Sequence, residues 1–384
     1  GHAGYTTARE FRKHDTETPL VLVTADDGTS YTKPMLSNAM ARGKTPDQLA
    51  QATAEQMEQQ LDARILSHTR VTGIDADNRR LHFADGSELD TARIVLGIGA
   101  NQIDPHLPGD GADDVLAVND LDAYTTAREA LEDAQRVVII GGGLIGCEFA
   151  NDWVKAGYDV TIIEALDYCL GRMLPPKAGA SLRDKLEGAG IRIVTGRTAT
   201  AVERADGGLV VVDDAGERHA ADVAFRALGL RPKTRLAADA GIETNRGICT
   251  DRRLETSRPG IHALGDCAEV DGLVLPFVMP ITNAARALGA TLAGTPTEVN
   301  YPVMPVIVKT PACPVQLYAP PEGVAGEWQE EALDNGGIRG LFHDPSGNLR
   351  GFVLTGAAVQ EKGELAAKVP GYFDNRDADA PAGA

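Results

Sequence analysis

The chain has 384 residues, 43% hydrophobic and 24% charged, enough for two or three domains with sizeable cores. Its 37 basic and 55 acidic side chains give a net charge of −18, which argues against nucleic acid and against an anionic membrane as partners. No apolar run reaches the ~18 residues of a membrane span, no signal peptide is evident, and the five cysteines, none spaced as C-x-x-C, fit free thiols in a reducing cytoplasm. No group of Cys, His or carboxylates has metal-ligand spacing, so no metal is expected.

Taken in order, Gly1-His2-Ala3-Gly4 precedes a helical pattern at Tyr5, Ala8 and Phe11, a strand at Leu20 to Val23 and an acid at Asp26 or Asp27. This looks like the back part of a dinucleotide-binding unit, and an ordinary amphipathic helix is the plainer alternative. On the first reading the preceding strand and glycine are absent, so the expectation is a truncated chain whose missing strand belongs at the centre of a parallel sheet. The loop Ser30 to Ser37 follows, where Lys33 is either a solvated lysine or a cation aimed at an electron-rich ring or phosphate. A polar helix is expected over Thr45 to Leu61, then short strands at Arg64 to Leu66, Val71 to Asp75, Arg80 to Phe83 and Ile94 to Leu96, the last ending in Gly97-Ile98-Gly99-Ala100. Three short strands before a glycine-ended strand suggest a β-meander crossover.

A Pro/Gly-rich linker at 105–111 and a helix-rich stretch from Asp113 lead to the most informative segment, Arg136 to Glu164. Val137 to Ile140 has the unbroken apolar character of a buried parallel strand and ends in Gly141-Gly142-Gly143-Leu144-Ile145-Gly146. A helix follows up to Gly157, and Val160 to Ile163 form a second strand closed by Glu164. Gly141 permits the tight turn, Gly143 lets the main chain approach a pyrophosphate, and Gly146 lets the helix lie close on the sheet. Glu164 lies about 20 residues beyond Gly141, where a carboxylate accepts both ribose hydroxyls of NAD. The following Ala165-Leu166-Asp167 offers no arginine for a 2′-phosphate, so NAD(H) is preferred to NADP(H). A glycine-rich turn with no ligand is the alternative.

Beyond it come a helix at Lys177 to Gly188, a strand at Arg192 to Val194, a meander from Thr200 to His219, and Val223 to Ala227 leading into Gly229-Leu230-Arg231-Pro232. The order repeats that of the first part, an internal duplication. Ile261 to Leu264 then ends in Gly265-Asp266, whose carboxylate suits a sugar-like hydroxyl or, more simply, caps a turn. An Ala-rich helix at Pro280 to Leu292 could direct its amino end at a pyrimidine. From Tyr301 the chain is β-rich, with strands at Val303 to Val308, Val315 to Tyr318 and Leu349 to Leu354 and a last helix at Ala357 to Ala367.

Two dinucleotide-binding units, the Gly229 to Pro232 turn and the Gly265-Asp266 pair resemble the two-dinucleotide-binding-domain flavoprotein disulfide reductase superfamily over nearly the whole chain. Within it, Ala25-Asp26-Asp27-Gly28 with Tyr31 to Ser37, the run Gly143 to Asp152, and Val308 to Pro314 resemble the rubredoxin-NAD+ reductase family. The resemblance implies an α/β fold of two Rossmann-like domains, each a parallel sheet with a β-meander crossover, plus a small α+β C-terminal domain. The FAD-binding domain takes residues 1–107 and 230–300, the NAD-binding domain 108–229, the C-terminal domain 301–373, and a disordered tail 374–384.

The resemblance also implies FAD as cofactor, NADH as electron donor, and rubredoxin or a ferredoxin as acceptor, feeding an alkane hydroxylase or an oxygen- or nitric-oxide-detoxifying partner. Carried over by position, Gly1, Ala3 and Gly4 hold the FAD pyrophosphate, Asp26 or Asp27 the adenosine ribose, and the main chain at Val71 the adenine. Asp266 takes the ribityl chain, Val278 the pyrimidine end, and Ala100 also contacts the cofactor. Gly141, Gly143, Gly146 and Glu164 bind NADH, and Lys33, Glu148 and Lys309 lie near the isoalloxazine. Glu148 either pairs with Lys33 to tune the flavin or is a carboxylate favoured only by the helix dipole. Cys147, among apolar neighbours, reads as a small core residue. A ferredoxin reductase serving an oxygenase is the alternative acceptor reading, and a flavin-binding interaction protein with little turnover is the alternative of another class.

Overall fold

The computed structural model describes residues 1–205, 207–334 and 336–377. The chain divides into two compact units, one built from 1–33, 47–101 and 230–301, the other from 34–46, 102–229 and the residues from Pro302 onward.

The first unit opens with the helix His2–Arg12, which buries Tyr5, Ala8 and Phe11 on one stripe. It crosses the helix Val278–Leu292 at main-chain contact, because a Cβ on Gly289 would stand 2.8 Å from Phe11 N. Two parallel strand pairs follow: Val21–Val23 with Arg64–Leu66, and Ile94–Leu96 with Ile261–Ala263. The expected meander is present as the antiparallel strands Val71–Asp75, Arg80–Phe83 and Glu88–Asp90. The expected long helix from Thr45 is a correction. Its first part is a 3-10 turn, Asp47–Leu49, and a strand, Ala50–Ala52, which pairs with Ser30–Tyr31, and the α-helix is only Ala54–Leu61. Thr53 ends the strand and starts the helix by closing a capping box with Gln56.

The second unit holds a four-stranded parallel sheet in the order Arg192–Thr195, Asp159–Glu164, Arg136–Ile140, Val223–Arg226. Val137 to Ile140 are at most 4% exposed, as an apolar strand covered on both faces must be. A second meander, Ala199–Ala205, Gly208–Asp213 and Arg218–Ala221, packs Val202, Leu209 and Val211 against Val138, Ile140 and Ile163. The C-terminal part is a five-stranded antiparallel sheet ordered Val306–Val308, Val315–Tyr318, Leu349–Thr355, Ile338–His343, Glu327–Ala332. The last two of these strands were not singled out by the sequence, and the helix expected from Ala357 begins as a 3-10 turn, Gly356–Glu361, before Lys362–Ala366. The expected disordered tail also needs correction at its start. Residues 374–377 belong to the helix Tyr372–Asp377, which Phe373 and Asn375 bury, with Asn375 Nδ2 donating to Arg350 O at 2.8 Å. Residues 378–384 of that tail lie outside the described residues. Among the described residues no helix is long and apolar enough to cross a membrane.

Candidate functional site

In the second unit the strand Arg136–Ile140 passes through the glycines into the helix Leu144–Ala156. Gly141 has φ +109°, and a Cβ there would stand 2.7 Å from Ala227 O, so both conformation and space require glycine. Gly146 is confined mainly by the turn: its Cβ would lie 2.0 Å from Gly141 O, with Ala227 Cβ at 3.4 Å behind it. Gly143 differs. Its φ is −73°, the nearest heavy atom to an added Cβ is Ala227 O at 3.9 Å, and as N-cap it supplies no side-chain bond to the helix. The fold itself makes no demand for glycine there. The open space lies at the amino end of a 13-residue helix, whose first amides have no partner within the helix, and a pyrophosphate suits it.

Glu164 ends the neighbouring strand and is tied to the turn, its Oε2 accepting from Gly142 N at 2.6 Å and its Oε1 from Leu166 N at 2.8 Å. An ionised carboxylate has about four acceptor sites, so two remain for ribose hydroxyls. Cys147 lies beneath this turn, fully buried, with Sγ donating to Gly142 O at 3.3 Å. The Cys169 thiol beside it and burial push its pKa well up, a poor setting for a thiolate.

One turn into the same helix, Glu148 is 1% exposed. Its Oε2 accepts from Ser37 Oγ at 2.6 Å and from Lys309 Nζ, and its Oε1 from Lys309 N at 2.8 Å. Lys309 Nζ also donates to Pro34 O and to Ser37 Oγ, both at 2.7 Å, so all three ammonium protons have acceptors. Within its own unit the cation bonded to Glu148 is Lys309; Lys33, the partner expected from the sequence, belongs to the other unit, where it stands 3.9 Å from Asp266 Oδ2. Sequence reasoning passed over Asn151 and Asp152, buried on the same helix. Asn151 Oδ1 accepts from Ala312 N at 3.0 Å, and Asp152 accepts from Met40 N and Ala41 N, each at 3.0 Å. Polar residues at 148, 151 and 152 amid apolar ones were the available signal.

In the first unit Gly1 and Gly4 have nothing within 4 Å of an added Cβ, whereas Gly97 and Gly265 face Ala3 Cβ at 3.5 and 3.1 Å. Ala3, Gly97 and Gly265 thus lie close together at the amino end of the helix. His2 Nε2 there is buried with no hydrogen-bond partner, and Asp266 is among the charges acting on that ring. Such an orphaned polar atom beside open glycines is what a polar cofactor site leaves in the bare protein. Asp26 and Asp27 are both exposed and fold onto their own turns, Asp26 accepting from Gly28 N and Asp27 from Thr29 N. The Tyr5 hydroxyl, whose pKa is raised to about 12 by burial first, is pushed up further by the charges of Asp26 and Asp27. Val71 opens the meander and Ala100 is buried. Val278 is the first residue of its helix, 37% exposed, and Phe277 before it supplies no side-chain cap.

One group of metal-ligating types was missed: atoms of Asp213, Glu217 and His219 lie within 4.8 Å of one another. Asp213 Oδ1 accepts from Ala215 N and Glu217 N and its Oδ2 faces His219 Nε2 at 3.1 Å, so closure of the hairpin accounts for the cluster.

Residues 1–289 match the pyridine nucleotide-disulphide oxidoreductase family, and residues 298–369 match the rubredoxin binding C-terminal domain. The chain is 47% identical to a rubredoxin-NAD(+) reductase of Alcanivorax borkumensis over 96% of its own length and 97% of the relative's. It is 44% identical to a rubredoxin-NAD(+) reductase of Acinetobacter baylyi, over 94% and 93%. Among solved structures, a ferredoxin reductase from Rhodopseudomonas palustris superposes with a TM-score of 0.86 at 27% identity, covering 96% of this chain and 93% of that one. With a glycine turn at the amino end of one helix, glycines at the amino end of another, and sequence kinship along nearly its entire length, the chain belongs to the pyridine nucleotide-disulphide oxidoreductase family.

Proposed function

We propose that the protein is an FAD-dependent oxidoreductase that passes electrons from NADH to rubredoxin, acting in the cytoplasm. The observation that carries this reading is the match of residues 298–369 to a rubredoxin-binding domain, within a chain whose preceding 289 residues match a pyridine-nucleotide family. Bound flavin supplies the exchange between two-electron donation by NADH and one-electron acceptance by a single-iron protein.

The chain's own residues bind and orient. The amides after Gly143, in the turn from Gly141 to Gly146, would hold the NADH pyrophosphate, and Glu164 would accept from the ribose hydroxyls, its charge disfavouring a 2′-phosphate. Gly1, Ala3 and Gly4 would hold the FAD pyrophosphate, Asp26 or Asp27 the adenosine ribose, the main chain at Val71 the adenine, Asp266 the ribityl chain and the amino end at Val278 the pyrimidine, with Ala100 alongside. By the family resemblance we assign Lys33 of the first unit, and Glu148 and Lys309 of the second, to the isoalloxazine, each as a charge that would act on the ring. Glu148 is locked by Lys309 and Ser37, which suits fixed electrostatics better than proton carriage.

No sulfur relay is needed. No cysteine lies between Thr24 and Leu49; the Cys169 thiol and burial raise the pKa of Cys147, and burial raises that of Cys267 to about 11. A second reading, reduction of a two-iron ferredoxin, is favoured by the likeness to the Rhodopseudomonas palustris ferredoxin reductase. Stopped-flow mixing of FAD-loaded protein with NADH, then with rubredoxin or a two-iron ferredoxin, separates them. Rubredoxin should be reduced much the faster, with thiol alkylation leaving the rate unchanged. Equal rates, or loss of transfer on alkylation, would overturn the reading.

A further inference from the structure

Glu148, Asn151 and Asp152 stand at i, i+3 and i+4 on the helix Leu144–Ala156, so they share one face. All three are at most 4% exposed, and each accepts hydrogen bonds from main-chain amides remote in sequence. Two of those amides, Lys309 N on Glu148 and Ala312 N on Asn151, belong to one tight turn. The turn is closed internally by Cys313 N donating to Thr310 O at 2.9 Å and by Thr310 Oγ1 donating to Cys313 O at 2.7 Å. Amides three residues apart in the turn thus meet acceptors three residues apart on the helix. A single anchor at Lys309 would let the turn pivot; the second removes that freedom.

We propose that Asn151 is a positioning residue for electron delivery: its carboxamide oxygen fixes the turn from Lys309 to Cys313, within the region matched to the rubredoxin-binding domain, on the helix that carries the nucleotide turn. The residue type follows from its neighbours. A carboxylate would also accept from Ala312 N, but between Glu148 and Asp152 it would add a third buried negative charge with one cation, Lys309, bonded to the group. A neutral carboxamide supplies the acceptor without that cost. This role rests on the rubredoxin reading above.

The test uses full-length FAD-loaded Asn151→Ala and Asn151→Ser, with NADH as donor and either rubredoxin or ferricyanide as acceptor. Loss of one buried acceptor should raise KM for rubredoxin about tenfold, while KM for NADH and kcat with ferricyanide stay within about twofold of wild type. Amide hydrogen exchange over 309–313 should quicken in the same variants. An unchanged rubredoxin KM, exchange no faster than wild type, or an equal fall with both acceptors would overturn the proposal. Wild-type protein that reduces ferricyanide but never rubredoxin would instead refute the functional reading, and the proposal with it.

Discussion

Gly143 and Gly146 are three positions apart, one at the cap and one in the first turn of the same helix, yet should respond to alanine in opposite ways. At Gly146 the new methyl would lie 2.0 Å from Gly141 O, against an ordinary contact of 3.4 Å or more, so helix and turn must part. Overpacking of this kind costs ~1–3 kcal/mol of stability. At Gly143 the methyl would meet nothing closer than 3.9 Å, and φ is already −73°. Reduced freedom of the unfolded chain favours alanine by ~0.4–1 kcal/mol, and alanine's poorer capping opposes it by an amount of the same order, so stability should barely move. If the pyrophosphate occupies that space, the methyl displaces it from one charge-assisted hydrogen bond, ~1.5–3 kcal/mol. That is ~10–150-fold in Kd for NADH. Calorimetric titration with NADH and urea unfolding, run on both variants, check this. Wild-type affinity in Gly143→Ala, or a stability loss matching that of Gly146→Ala, would refute the division of labour between the two glycines.

Two further outcomes can be read from Trp153 and Trp328, both in the second unit, by fluorescence during unfolding. Lys309→Met leaves the buried Glu148 without its cation and should cost ~3 kcal/mol, whereas adding Glu148→Gln should restore part of that; a double variant no more stable than Lys309→Met would contradict the pairing. Asp222 accepts from Gln135 N, Arg136 N and the Arg136 guanidinium, and the Arg136 hydrogen bond leads in holding its carboxyl down at about 2. The folded pKa lies below the unfolded value, so this stabilisation is complete above pH ~4 and disappears as the pH falls through about 2. Asp222→Asn should cost ~1 kcal/mol near neutrality, limited by solvent screening, with the variant and wild type converging in acid. A difference independent of pH would count against the linkage.

The parts legible in the sequence are those set by neighbours along the chain. Val137 to Glu164 announces a strand, turn, helix and strand because the apolar run, the glycine spacing and the acid are all local features, and the structure forms those elements. The helix expected from Thr45 shows where such reasoning stops. Asp47 to Ala52 has a composition that suits a helix, but pairing with Ser30–Tyr31 draws Ala50–Ala52 into a strand, and nothing local predicts that partner.

The candidate site divides in the same way. That Glu148 and Lys309 carry charge is plain from the residues, but that they meet depends on a contact spanning 161 positions, which only the fold supplies. Asp26 and Asp27 are interchangeable on paper, and only the fold shows that each closes its own turn, Asp26 accepting from Gly28 N and Asp27 from Thr29 N. Local spacing therefore decided the glycine turn after Ile140 by itself, through backbone conformation and steric room. Tertiary packing alone decided the partners of the buried charges, since a side chain taken out of water must bond whatever the fold brings to it.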